Sequence, residues 1–152
     1  MSDSRTTPES RDEYHWFTPI TTRWHDNDLY GHVNNVTYYA FFDTVANRYL
    51  IERGGLDIHQ GPCIGLVVNS GCSYFAPLAF PEELEGGLRV NRLGRSSVEY
   101  GLAIFRKGET VAVAQGHFVH VFVDRNTRHS MAIPENLRGM LQDICKGAGS
   151  AD

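Results

Sequence analysis

The sequence predicts an α+β domain in which an antiparallel sheet of about five strands covers one long apolar helix. Three observations carry that prediction. Residues 35–53, NVTYYAFFDTVANRYLIER, run without Gly or Pro and stop at Gly54-Gly55, where the chain can take the left-handed conformation that ends a helix. Four stretches with strand character follow in succession between residues 64 and 124. One more precedes the helix. Strands that arrive in a run after a helix pair antiparallel, because short turns join them.

The elements follow in order. Residues 1–14 are rich in Ser, Thr, Asp, Glu and Arg and read as a loose tail, as do residues 147–152. Residues 15–146 form the single domain. FTPITTRW (17–24) alternates and is rich in Thr and Ile, the pattern of a strand. In the helix, Val36, Tyr39, Phe42 or Ala40, Ala46, Tyr49 and Leu50 recur near helical spacing; Phe41, Phe42 and Val45 widen the apolar face. Burial of more than half its circumference is expected. Asn34 or Asn35 suits the N-cap. After a loop at 58–62, IGLVVNSGCSYFAPL (64–78) is strand-like with a break near Asn69 to Gly71. ELEGGLRVNRLG (83–94) and SVEYGLAIFRKGE (97–109) alternate, the latter into the turn signal Lys107-Gly108. TVAVAQGHFVHVFVD (110–124) is a long strand with Gly116 as the expected bulge. PENLRGMLQDICK (134–146) opens on Pro and reads as a short helix.

Composition narrows the function classes. A chain of 152 residues is one domain on size alone. A net charge of −4 and a pI near 5.9 argue against a general nucleic-acid binder. Cys63, Cys72 and Cys145 are odd in number and form no C-x-x-C, so a disulfide framework is not expected. No apolar run approaches the ~18 residues of a membrane span, and the first sixteen residues, MSDSRTTPESRDEYHW, lack the apolar core of a signal peptide. A cytoplasmic location is the expectation.

RWHDNDLYGHVNN (23–35) stands apart, with two aspartates, two histidines, a glycine and two adjacent asparagines at its end. His25, Asp28 and His32 would share a face if the segment were helical. Gly31 and the asparagines argue for a loop instead, and no metal-ligand spacing is matched, so no metal is expected. Asp26, Asn27 and Asn34 suit turns and caps. Asp28 differs because it stands just before a helix start, whose unbonded N–H groups carry partial positive charge. A carboxylate beside donors that can hold an oxyanion suits acyl transfer.

The pattern R-W-x-D-x-D-x-x-G-H-V-N-N-x-x-Y, Arg23 to Tyr38, resembles the signature of the 4-hydroxybenzoyl-CoA thioesterase-like (YbgC-like) hotdog-fold family. Residues Arg92 to Asp124 are similar to that family's last strands, and the resemblance covers about residues 16–142. It implies a hotdog fold and an acyl-CoA thioesterase without a cofactor. It implies that Asp28 is the catalytic carboxylate, as nucleophile or general base. Gly31 falls on the family's glycine, and backbone N–H groups from Val33 to Asn35, chiefly that of Asn35, would polarise the thioester carbonyl. His32 either touches the site or packs beneath the turn. Arg92, Arg95, Ser96 and Ser97 would approach the nucleotide end of CoA or be solvated turn residues. A homodimer or homotetramer with the active site at the dimer interface is implied as well.

Other readings stay open: a hotdog hydratase or dehydratase on acyl-CoA or acyl-carrier protein, and an acyl-CoA binder without activity. No G-x-S-x-G occurs. Asp43 is expected in a solvent or structural role. Tyr38, Tyr39, Phe41 and Phe42 are expected mostly in the core, with one or two lining the acyl pocket. His117 and His120 point to opposite faces of a strand.

Overall fold

Helix α1 (Asn35–Glu52) starts where the Asn34 side chain accepts the Val36 N–H at 2.9 Å, satisfying one of the donors that a helix start leaves open. It ends before Gly55, whose φ is +71°. The structure, a computed structural model, describes residues 7–57 and 59–146. The expected tail segments 1–6 and 147–152 lie outside the described residues.

The buried residues of α1 are Tyr38, Phe41, Phe42, Val45, Ala46, Tyr49 and Leu50. They advance by three or four positions and form one stripe. Val36 and Ala40 fall off that stripe and are exposed, Val36 at 76%. Burial of α1 is therefore one-sided, less than the sequence suggests, because the sheet covers it from one side only.

Five strands form that sheet: β1 (Trp16–Thr21), β2 (Cys63–Tyr74), β3 (Glu83–Leu93), β4 (Ser97–Arg106) and β5 (Ala114–Asp124). Their spatial order is β1-β3-β4-β5-β2, antiparallel throughout. This is the α+β hotdog arrangement expected above. Alternation along the strands sorts the side chains. Leu84, Leu88, Tyr100, Leu102, Ile104, Phe118 and Phe122 join α1 in the main core. Helix α2 (Glu135–Gln142) adds Leu137 and Leu141. On the outer face Ala103 and Phe105 pack with Tyr14, Ala112 and Phe17. Full burial of each large apolar side chain contributes about 1.5–3 kcal/mol.

Several elements differ from the expectation, each for a visible reason. β1 stops at Thr21 because Trp24–Asp26 form a 3₁₀ turn. The Asp26 carboxylate accepts the Arg23 N–H and guanidinium, each at 2.8 Å. Helix α2 is shorter than 134–146 because the following chain turns to β3: Val90 N–H donates to Ile144 O, and Lys146 N–H to Val90 O. The last strand begins at Ala114, and its Gly116 stays in register with both neighbours. Register shifts fall instead between Val67 and Asn69 on β2 and between Val90 and Arg92 on β3. A Cβ at Gly116 would overlap the Gly71 carbonyl and stand 2.9 Å from Phe42 Cε2. Close approach of helix and neighbouring strand, not a bulge, is what glycine permits there.

The described part of the segment read as an N-terminal tail lies against the outer face. Arg11 N–H donates to Thr110 O at 2.7 Å and Ala112 N–H to Glu9 O at 3.0 Å. The Arg11 guanidinium pairs with Glu85 and lies 4.7 Å from the Phe17 ring centroid. Arg89, nearly buried, pairs with Glu9 at 3.1 Å and lies over the Tyr14 ring.

Pairing register defines two ends of the sheet. Thr21, Glu83, Arg106, Ala114 and Tyr74 meet at the near end, beside the start of α1. Cys63, Leu93, Ser97 and Asp124 lie at the far end.

Candidate active site

Residues 27–33 form a small hairpin at the near end. Asn27 and Val33 pair as an isolated antiparallel bridge. Asp28 N–H donates to His32 O at 2.9 Å, and Gly31 N–H to Asp28 O at 3.0 Å. Gly31 closes the turn with φ +81°, a conformation that costs a non-glycine residue roughly 1–2 kcal/mol. The hairpin has support on two sides. On one, Asn34 N–H donates to Asp26 O at 2.9 Å. On the other, Val33 N–H donates to Leu78 O at 2.7 Å, and Phe80 N–H to Asn27 Oδ1 at 3.0 Å. Asp26, Asn27 and Asn34 thus have the turn and cap roles expected of them.

Asp28 Oδ1 accepts the Tyr30 N–H at 2.9 Å. Its other carboxylate oxygen has no donor among the described residues. Asp28, His32 and Asn35 line one cleft of about 460 Å³ with Tyr30, Val33 and Tyr38 on their own side. The opposite wall is Tyr74, Phe75, Ala76 and Pro77. The Asn35 N–H has no acceptor among the described residues, which leaves it free for an incoming oxygen. His32 is exposed on the cleft and does not pack beneath the turn. Gly31 shapes the hairpin and faces the other side of the loop, with Trp24, His25 and Leu29.

The opposite wall was not legible from the sequence. It comes from the end of β2 and the loop after it, far along the chain from the polar stretch. Tyr74 Oη donates to Asn35 O at 3.4 Å, and its ring packs edge-on against Tyr38 at 5.0 Å. Tyr38 is the helix aromatic that reaches the cleft. Burial pushes its hydroxyl up to about 12; Cys72 and Glu82 push the same way and Arg106 opposes them. Tyr74 is also raised, by burial first. Both phenols therefore stay neutral and can donate hydrogen bonds at neutral pH. Burial pushes the Cys72 thiol up to about 11, so it is not a nucleophile at neutral pH.

The other expected residues lie elsewhere. Arg92, Arg95, Ser96 and Ser97 stand at the far end of the same chain, about 30 Å away along β3 at ~3.3 Å per residue. The two arginines are exposed. The turn backbone is held: Phe122 N–H donates to Ser96 O, Ile133 N–H to Arg95 O, and Arg138 Nη2 to Gly94 O. The structure does not bring this set to Asp28 within one chain. Asp43 accepts from Asn47 Nδ2 on the exposed side of α1. His117 bonds Asn69 on the outer face, while His120 is buried on the helix face against Tyr100, opposite faces as expected. Among the described residues no group of three or more His, Cys, Asp or Glu could hold a metal ion. No helix among them is long and apolar enough to cross a membrane.

Residues 30–113 match the family model of the thioesterase superfamily. The chain belongs to the thioesterase superfamily. The match contains His32, Asn35, Tyr38 and Tyr74; Asp28 lies just before it. A crystal structure of the PA5185 protein from Pseudomonas aeruginosa is 61% identical, with a TM-score of 0.91 over 92% of this chain and 98% of that one. Slr0204, a 1,4-dihydroxy-2-naphthoyl-CoA thioesterase from Synechocystis, shares the superfamily fold at 15% identity, with a TM-score of 0.75 over 84% of this chain and 96% of that one. The curated protein YsmA of Bacillus subtilis is 24% identical over 90 residues, 59% of this chain and 60% of that protein's length.

Proposed function

We propose that the protein is a thioesterase that hydrolyses an acyl-CoA to the free acid and CoA. The observation that carries the reading is the cleft: a superfamily member sets the Asp28 carboxylate and the unbonded Asn35 N–H on one surface. The thioester carbonyl oxygen takes the Asn35 N–H, which strengthens as that oxygen gains charge. A single such donor is worth ~3 kcal/mol in the transition state. Asp28 either attacks the carbonyl carbon or takes a proton from the water that does, and the CoA thiolate leaves. His32, Tyr38 and Tyr74 contact the acyl group or the thioester.

The working unit of this reading is a homodimer paired through β2. β2 is an edge strand, and Leu66, Val67 and Val68 on it are exposed. Such an edge favours pairing with another strand. If two β2 strands pair antiparallel, the partner's far end comes to the same side as this chain's near end. Three strand spacings of ~4.8 Å separate the partner's β3–β4 turn from the joint. Arg92, Arg95, Ser96 and Ser97 would then serve the partner's cleft, with the arginines on CoA phosphate.

Thiol release from short-chain, long-chain and aromatic acyl-CoAs tests the reading, and the best substrate names the acyl class. Dehydration of 3-hydroxyacyl-CoA without thiol release would make the protein a dehydratase. CoA binding without turnover of any thioester would make it a binder.

A further inference from the structure

The residues that hold the active-site hairpin in place are themselves held by a side chain at the near end of the central strand. The loop after β2 supplies the cleft wall at Pro77 and the Leu78 carbonyl that accepts Val33 N–H. Leu78 buries its side chain completely. Arg106, the last residue of β4, bonds both ends of this loop. Its Nη2 donates to Pro77 O at 2.7 Å, and its Nε to Glu82 Oε1 at 2.6 Å. Glu82 Oε2 in turn accepts the Ala79 N–H at 2.9 Å, closing the loop upon itself. Among the described residues no other side chain bonds both ends. The route to the chemistry is short: Arg106, Pro77 and Glu82, then Leu78 O, then Val33 N–H, then the hairpin that carries Asp28 and the helix start that carries the Asn35 N–H.

We propose that Arg106 is a positioning residue for the thioesterase site: its guanidinium clamps the 77–82 loop and so sets the distance between Asp28 and the Asn35 N–H. The inference rests on the cleft being the catalytic site. The forked geometry matters. A planar guanidinium can hold a carbonyl and a carboxylate at once, whereas a lysine offers one point charge. Small errors of placement are costly, since a displacement of about 1 Å can cost ~10²-fold in rate.

The test compares Arg106→Gln and Arg106→Lys with Lys107→Gln, which breaks the neighbouring exposed pair with Glu83 and removes the same charge. Two quantities are read: kcat and KM on the best acyl-CoA, and hydrogen exchange at the Val33 amide. The expected result is a 10–100-fold fall in kcat for Arg106→Gln, with KM within threefold, faster Val33 exchange and an unchanged oligomer. Arg106→Lys falls by less but does not recover wild-type kcat, and Lys107→Gln matches wild type. Wild-type kcat in either Arg106 variant overturns the proposal. So does a loss of kcat with Val33 protection intact, because the effect would then not pass through the loop. If Arg106→Gln does not fold, Arg106→Lys decides by the same two readings. A wild type that turns over no thioester would sink the proposed function instead; the exchange measurement, which needs no substrate, still decides whether Arg106 holds the hairpin.

Discussion

At the near end of the sheet, residues 27–33 turn back on themselves and leave Asp28, His32 and Asn35 on an open cleft. At the far end, residues 94–97 turn as tightly, with Gly94 N–H donating to Ser97 O at 2.8 Å. Their carbonyls, however, are taken by β5, by the segment before α2 and by Arg138. Both stretches are polar; the far one follows β3 directly, the near one follows the 3₁₀ turn after β1. Among the described residues, the near one keeps a carboxylate oxygen of Asp28, and the helix start behind it keeps the Asn35 N–H, without a hydrogen-bond partner. The far one uses its backbone to hold the fold together and exposes one arginine, Arg95, with Arg92 exposed on the strand just before it. Polarity in a loop does not by itself open a binding surface; unbonded groups lining one cleft do.

Changes at the two ends should therefore differ in kind and in size. The largest effect belongs to Asp28→Asn. Loss of a positioned base costs ~10²–10⁴-fold, so thiol release should drop by that factor with the fold and the oligomeric state unchanged. Activity equal to wild type would remove Asp28 from the mechanism.

A second prediction concerns the interior toward the far end. Burial holds His120 down to about 4, below its ordinary 6.5. The folded chain keeps this ring neutral between pH 6.5 and 4, while the unfolded chain takes up a proton in that window. Stability should fall as pH drops from 6.5 toward 4. Denaturant midpoints across that range test it, and His120→Gln should flatten the slope. An unchanged slope in the variant would show that other groups carry the acid sensitivity.

Gly31→Ala comes next. The added Cβ meets nothing within 4 Å, so its cost is the left-handed backbone alone, roughly 1–2 kcal/mol. The hairpin should relax rather than the core, with thiol release falling more than the thermal midpoint. The reverse ranking would mean that the turn serves the fold.

The smallest effect is expected for Arg92→Gln and Arg95→Gln. KM for the acyl-CoA should rise several-fold and grow less sensitive to salt, with kcat unchanged. A lowered kcat would bring the far end into the chemistry. Unchanged KM in both would leave these arginines as solvated turn residues.

Much of the fold was legible in the sequence because it rests on local rules. Helix α1 followed from nineteen residues without Gly or Pro and the glycine pair behind them. The β3–β4 turn followed from its flanking alternation, and the loop character of residues 23–35 from Gly31 and its polar neighbours. What misled was context. Gly116 suggested a bulge, yet it makes room for Phe42 and the backbone of β2. Val36 suggested core, yet the sheet covers only one side of α1. Glu9, Arg11 and Tyr14 had the composition of a tail, yet Arg89, Glu85 and Phe105 hold them in place.

The sequence by itself determined the elements, the hairpin around Gly31 and the nomination of Asp28 beside a helix start. Those features depend on residues within a turn or two of one another, where backbone preference and capping act. Only the tertiary structure decided the other wall of the cleft, the clamp from Arg106 and the separation of Arg95 from Asp28. Each of these depends on which strand lies beside which and in what register, and pairing across dozens of residues leaves no local pattern in the chain to read.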